Sequence, residues 1–539
     1  MIHTSREACN AGWRFQFGDE PGEAVMLPHT WNALDTMHPD PDRHYRRGVG
    51  VYTRTIPAPG SGQRLWLEIE AAAQKARVFL NDALISEHLG GYIPFIVELT
   101  PYGLAPDEAL TLRIETDNRP DPHLIPSDMS DFFLYGGLTR NVWLYTTGPV
   151  HIERLHVTPH MDGRVIVQGE IDGATNGPLH VHITAPDGAT VLHEQISVPE
   201  QTFTLEVKLP VRVWSPDDPA LYHLTARLGD SDAVRADFGF REFAFPPGGP
   251  FYLNGQRLLL RGTHRHEDWA GYGAAVPDDL SRQELEQIKA AGFNFVRLGH
   301  YPQAPAVLRT CDELGLLVWL ELPWCRGGIG GDDFQQTTRA MLRAMIEVYY
   351  NHPSIIMWGL GNELDWESEH PGSSDEKVAL FLQELHDLAH TLDPARLTAL
   401  RRFEPGAAIV DVYSPSIWSG WYRGRYEDYE TALNDALTRY PNFFHAEWGG
   451  DSHVGRHNSG PHLRAALEVT SDHGEVPGLA TSAEGFARAS RDSDWSESYM
   501  LDVMEWHLQI QNRMPNLSGS AQWVFFDFGT PLRPENPIP

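Results

Sequence analysis

From about Phe251 onward the chain repeats one pattern eight times: a short apolar, β-branched or aromatic run, followed by a polar stretch that in several places has helical periodicity. The runs are RLLLRGTH, NFVRLGH, LLVWLEL, IIMWGLG, LTALRR, IVDVYSP, NFFHAEW and SAQWVFF. Strands separated by helix-length spacers pair in parallel, because a parallel neighbour needs a long crossover, and the helices then cover the sheet faces. Eight such units predict a (β/α)8 barrel. The spacers agree: LSRQELEQIKAAG sets Leu280, Leu285 and Ile288 near one face with Gly292 as its stop, and SDEKVALFLQELHDLAHTLDPAR is ended by Pro394. The chain reaches RPENPIP soon after the eighth run with no eighth helix evident, so either the sequence is a fragment or another element closes the barrel.

At 539 residues the chain is too long for one core. Before the barrel, short alternating segments are broken by Gly, Pro, Asn and Asp, which is the pattern of β-sandwiches. RLWLEIEA, KARVFLND, ALTLRIET and NVWLYTT read as strands of a first domain, residues 1–149. IERLHVTPH, RVIVQGEI, LHVHITAP, TFTLEVKL and LYHLTARL read as a second, immunoglobulin-like sandwich, residues 150–245. The expected fold is therefore multidomain: two all-β sandwich domains followed by an α/β barrel over 246–539.

Charge excludes some partners. With 73 acidic against 42 basic residues, a net charge of −31 disfavours nucleic acid and anionic membranes. No apolar run is long enough to span a bilayer, and MIHTSREACNAGWRF lacks the basic start and apolar core of a signal peptide. The expectation is a cytoplasmic protein as the sequence stands, or a periplasmic or secreted one if a leader has been removed. Cys9, Cys311 and Cys325 show no C-x-x-C spacing, so neither a disulfide framework nor a zinc ribbon is indicated.

Barrel active sites lie at the C-terminal ends of the strands. Asn362 and Glu363 end the fourth run, Glu447 ends the seventh, His264 and His266 follow the first, His300 follows the second, and Trp523 lies on the eighth. Two carboxylates across an aromatic-lined mouth suit acetal hydrolysis: one protonates the leaving oxygen, and the other attacks the anomeric carbon or activates water. Asn362 could hydrogen-bond a sugar hydroxyl, and Trp418, Trp421, Tyr422 and Trp523 could stack on pyranose faces. Each of these residues also has a plain structural reading, as a rim ion pair or a core aromatic. Two other classes compete. His264 and His266 sit two apart, as in metal-dependent barrel hydrolases, although strands four to six supply no further His or Lys. A non-catalytic carbohydrate-binding protein would explain the sandwiches but not the paired Glu residues.

With these residues in view, the chain resembles glycoside hydrolase family 2, which includes β-galactosidases, β-glucuronidases and β-mannosidases. The likeness rests on GYIPFIVELT, YGGLTRNVWL, WSPDDPALYHL, FGFREF, LLRGTHRHED, GFNFVRLGHYP, NHPSIIMWGLGNE and HAEWGG. It implies a sugar-binding-like jelly-roll sandwich at the N-terminus and a retaining, exo-acting enzyme. It also implies that Glu363 is the acid/base and Glu447 the nucleophile. His266, His300, Asn362, Tyr422 and Trp523 would contact the terminal sugar, and Asp131 would reach the site from the first domain. Trp418 stands where many relatives have a Tyr that hydrogen-bonds the nucleophile. Cys325 and Gly327 stand where magnesium-dependent β-galactosidases carry Glu and His, so no metal or other cofactor is expected. Uronate-specific members grip the substrate carboxylate with an Asn-x-Lys pair beyond strand eight, and this sequence ends before that segment. The reading favours a β-galactosidase, with a β-glucuronidase or β-galacturonidase as the alternative. The substrate would be an oligosaccharide, a polysaccharide or a small β-glycoside, and a homo-oligomer is compatible with the sequence.

Overall fold

The structure is a computed structural model that describes all residues except 39, 101–108, 174–176, 199, 423, 451, 453–495 and 531–539. RPENPIP lies outside the described residues.

The first sandwich packs a six-stranded antiparallel sheet against a four-stranded one. Ala109–Asp117 lies between Val49–Pro57 and Lys75–Leu80, and its alternating burial puts Leu110, Leu112 and Ile114 into a core with Trp13, Tyr52, Leu67 and Val78. The second sandwich sets His151–Pro159, Arg164–Asp172 and Thr202–Lys208 against a five-stranded sheet, over a core of Ile152, Val165, Val167, Val181, Leu224 and Val234. One feature departs from the sequence reading. Ile2–His3 pairs with Asp232–Phe238, so the N-terminus joins the sheet of the second sandwich and not the first. The buried contact of His3 Nδ1 with Asp232 Oδ1, 3.0 Å, holds it there, and two residues are too few to carry a periodic signal.

The barrel strands are Leu260–Arg265, Phe295–Leu298, Leu317–Glu321, Ile355–Asn362, Leu397–Arg401, Val412–Ser414, His445–Gly449 and Gly519–Trp523. Each described pairing is parallel, and a parallel bridge between Tyr413 and Phe443 joins the sixth to the seventh, which closes the ring. One end of the interior is filled by Phe295, Trp319, Met357 and Phe444 together with Trp214 and Phe251 from the preceding chain. The helices Asp278–Ala290, Pro305–Leu314, Asp332–Tyr349 and Asp375–Leu392 cover the outside through Leu285, Leu308, Met345 and Leu382. The fifth strand is followed only by a single 3-10 segment, Glu404–Ala408.

The fourth strand shows how an apolar run comes to present a carboxylate. Its residues Ile355–Asn362 are all buried. A Cβ at Gly359 would lie 2.2 Å from the Glu321 Cβ, so only glycine lets strands three and four approach so closely. The register slips between Gly359 and Gly361, and Glu363 then adopts φ +54°, a left-handed conformation that a non-glycine residue rarely takes. The chain turns off the strand at the barrel mouth and stores local strain at Glu363.

Candidate active site

At the C-terminal mouth a cleft is lined by Asp131, His300, Cys325, Arg326, Asn362, Glu363, Arg401, Trp418, Tyr422, Glu447 and Trp523. Eight of the ten residues predicted from sequence for the sugar site therefore converge: both Glu residues, Asp131, His300, Asn362, Trp418, Tyr422 and Trp523.

His266 and Trp421 are the exceptions. The His266 ring stacks on Phe528 at 3.9 Å and meets Trp523 and His300 edge-on, so it stands behind the lining and supports it. Trp421 is fully buried and stacks with Tyr499, which makes it a core residue and not a sugar platform. His264 is committed to the Ala446 carbonyl through Nε2 at 2.6 Å. Among the described residues, the His264/His266 pair finds no third ligand within metal-holding reach.

The carboxylates are organised by arginines that sequence reasoning missed. Arg401, at the end of the fifth strand, donates from Nη1 to Glu363 Oε1 at 2.5 Å and lies 2.8 Å through Nη2 from Glu447 Oε2, so one guanidinium spans the pair. Arg297, inside the second strand, donates to Glu447 Oε1 and to the Asn362 side-chain oxygen, both at 2.9 Å. It also pairs with Glu321 of the third strand at 2.9 Å, and Glu321 in turn meets His300 Nδ1 at 2.6 Å. Arg326 donates from Nε to Glu363 Oε2 at 2.6 Å, and its Nη2 is 3.6 Å from Asp131. Arg402 reaches Glu363 at 3.3 Å.

A signal for part of this network was present in the sequence. Arg297 within FVRL and Glu321 within LVWLE are opposite charges on adjacent strands that are otherwise apolar, and charges buried at such positions have to pair. Burial alone would raise the Glu321 carboxyl, but Arg297 and His300 more than offset it and hold it below the usual carboxylate range. Burial lowers His300 despite the neighbouring Glu321, so its imidazole favours the neutral form. The Cys325 thiol is pushed up to about 12 by burial and accepts from the Asn362 amide at 3.4 Å, so it is not a nucleophile.

The first sandwich completes the mouth. Ser130 donates to the Cys325 carbonyl at 3.0 Å, Thr530 donates to Asp131 at 2.9 Å, and the buried Arg140–Glu267 pair at 2.5 Å fastens that domain to the loop after the first strand.

A parallel eight-stranded barrel with two carboxylates held over an aromatic cleft defines a barrel hydrolase of glycosidic bonds. Comparison with known proteins narrows the class. Residues 247–534 match the family description "Glycosyl hydrolases family 2, TIM barrel domain", and residues 150–241 match "Glycosyl hydrolases family 2". A Formosa agariphila protein is 42% identical over 561 residues, covering 99% of this chain and 67% of that protein. The structure of β-glucuronidase 3 from Bacteroides uniformis superposes with a TM-score of 0.90 at 40% identity, covering 100% of this chain and 72% of that one. A β-galactosidase of Thermoanaerobacterium thermosulfurigenes is more distant, at 28% identity, covering 97% of this chain and 70% of that protein. The chain belongs to glycoside hydrolase family 2. It is an exo-acting β-glycosidase of the retaining, double-displacement type.

Proposed function

We propose that the chain is a β-glucuronidase in which Glu447 is the nucleophile and Glu363 the acid/base. The observation that carries the catalytic assignment is the single guanidinium of Arg401 in contact with both carboxylates. In the first step the Glu447 carboxylate attacks the anomeric carbon, the bond to the leaving oxygen breaks, and Glu363 delivers its proton to that oxygen. In the second step Glu363 takes a proton from water, the water oxygen attacks the anomeric carbon, and Glu447 is released. Asn362, fixed by Arg297, is placed to hydrogen-bond a sugar hydroxyl, and Trp418, Tyr422 and Trp523 frame the ring.

Two observations favour a uronic acid over the galactoside reading taken from sequence. The 40%-identical solved relative is a β-glucuronidase, whereas the β-galactosidase relative is more distant. The cleft also places a guanidinium at the point that matters. Arg326 caps Glu363 Oε2, and that contact has to be exchanged before Glu363 can serve a leaving group. A sugar carboxylate offers the displaced guanidinium a replacement anion, which a neutral hexose cannot do.

The test is a panel of 4-nitrophenyl β-glucuronide, β-galacturonide, β-galactoside, β-mannoside and β-glucoside. The glucuronide is expected to give the highest kcat/KM, and a galactoside preference would refute the sugar assignment. Glu447→Ala should abolish turnover. Glu363→Ala should retain activity on activated aryl substrates and gain rate with azide, through attack on the glycosyl-enzyme. The Glu363 variant should release the β-glycosyl azide, and an α-glycosyl azide from it with a β-glycosyl azide from the Glu447 variant would reverse the two roles.

A further inference from the structure

We propose that His386, His390 and Asp411 form a binding site for a divalent transition-metal cation of the zinc type, on the barrel wall remote from the catalytic mouth. His386 and His390 lie one turn apart on the helix Asp375–Leu392, so they share a face. Their ring centroids are 4.7 Å apart at 73°. Asp411 immediately precedes the sixth barrel strand, and its Oδ2 lies 2.8 Å from His390 Nε2. One donor atom from each of the three residues lies within 4.8 Å of the others, and all three are half-buried. They are the only such group among the described residues.

The donor set suits the ion. Two imidazoles and one carboxylate are the ligands of zinc and its first-row neighbours, and they leave a fourth position for water.

The surroundings also orient the ligands. The Thr398 backbone N–H donates to Asp411 Oδ2 at 2.7 Å and its hydroxyl does so at 3.0 Å, while the same hydroxyl lies 2.8 Å from His386 Nδ1. Such a shell fixes the carboxylate before an ion arrives. The bland alternative is a hydrogen-bond network with Thr398 at its centre, and it predicts no response to metal.

The position indicates the role. Thr398 is near the start of the fifth strand, and Arg401, which binds the catalytic carboxylates, is at its end. The cation would therefore tie the fourth helix to strands five and six at the N-terminal end of the barrel strands, opposite the catalytic mouth. It would raise thermal stability without entering the reaction.

The experiment uses the full chain stripped with EDTA and dialysed. Zn2+ is titrated by calorimetry, with the unfolding midpoint followed in parallel, and Co2+ serves as a spectroscopic substitute. One saturable ion per chain is expected, together with a higher midpoint and visible d–d absorption. His386→Ala and Thr398→Val should each weaken binding by about tenfold or more, while leaving glycosidase activity near wild type. Because Asp411 also accepts from the Thr398 backbone, Asp411→Asn carries a folding cost, and the half-exposed His386 is the primary variant. Absence of saturable binding would overturn the proposal. So would equal affinity in wild type and His386→Ala, or a Co2+ spectrum with no protein-dependent band. Failure of the glucuronide assay leaves this test unaffected, because its readouts do not involve turnover.

Discussion

Replacing Arg401 with leucine tests whether one cation organises the proposed catalytic pair. Two short contacts are lost, 2.5 Å to Glu363 and 2.8 Å to Glu447. A hydrogen bond to a charged group contributes roughly 1.5–3 kcal/mol, so the gross loss is about 3–6 kcal/mol. Each carboxylate keeps another guanidinium, since Arg297 remains 2.9 Å from Glu447 and Arg326 remains 2.6 Å from Glu363. About half of the effect should therefore survive, leaving about 1.5–3 kcal/mol, or roughly a 13- to 160-fold fall in kcat/KM. The pH profile supplies the discriminating readout. The nucleophile must be ionised, and removal of a neighbouring cation disfavours the ionised form, so the acidic limb of kcat/KM should move to higher pH. Arg401→Lys should fall between the two, because an ammonium cannot span both carboxylates as a planar fork does. The assay is 4-nitrophenyl glycoside hydrolysis from pH 4 to 9, with circular dichroism and a thermal scan to verify folding. An acidic limb that overlays wild type, with the rate reduced equally at every pH, would refute the reasoning and leave Arg401 a packing residue.

Asp131→Ala should lower kcat/KM while leaving the unfolding midpoint nearly unchanged, because Asp131 meets Arg326 and Thr530 at the mouth and lies outside the sandwich core; unchanged kinetics would reduce the first domain to a spacer. Asp268 is raised from 3.8 to about 7 by burial, which outweighs its hydrogen bonds from Tyr135 and Gly529, so the folded state holds a proton that the unfolded chain releases above about pH 4. Its stabilising contribution is complete below the unfolded pKa and is lost as pH rises through the folded one, a total of about 4 kcal/mol between pH 4 and 7. Asp268→Asn should flatten that part of the stability profile in urea titrations, and an unchanged slope would place the proton elsewhere. EDTA should leave kcat for the preferred glycoside unaltered while lowering the unfolding midpoint of zinc-loaded protein, and lost turnover restored by magnesium would contradict the expectation drawn from Cys325 and Gly327 that turnover needs no metal.

The barrel was legible because its signal is redundant. A buried parallel strand must be apolar throughout, so eight such runs at helix-spaced intervals leave few alternatives, and the same rule marks any polar residue at a strand end. Asn362, Glu363 and Glu447 stand out in this way. Trp418 and Trp421 show where the sequence signal runs out. They are three residues apart in one aromatic segment, yet one lines the cleft and the other is sealed against Tyr499. Composition could not separate them, because a loop has no fixed period. His266 failed for a related reason: the residue that stacks on it, Phe528, is more than 250 positions away, and no local pattern records that contact.

The arginines show a further limit, and it bears on the substrate. A net charge of −31 argues against polyanionic partners because it describes the long-range field, which is screened within about 10 Å at moderate salt. Inside the mouth the relevant charges are those within hydrogen-bond reach, and there Arg297, Arg326, Arg401 and Arg402 face Glu321, Glu363, Glu447 and Asp131. Arginine side chains are long enough to cross from one strand to the next, so a guanidinium is not where its Cα is. The sequence position of Arg326, in a loop after the third strand, gives no hint that it caps a carboxylate at the end of the fourth. An acidic protein can thus line its mouth with guanidiniums, each paired with a carboxylate. On the uronic-acid reading proposed above, a monoanionic sugar would trade one carboxylate partner of Arg326 for another, so the cost of uncapping Glu363 would fall most for the substrates that carry their own anion.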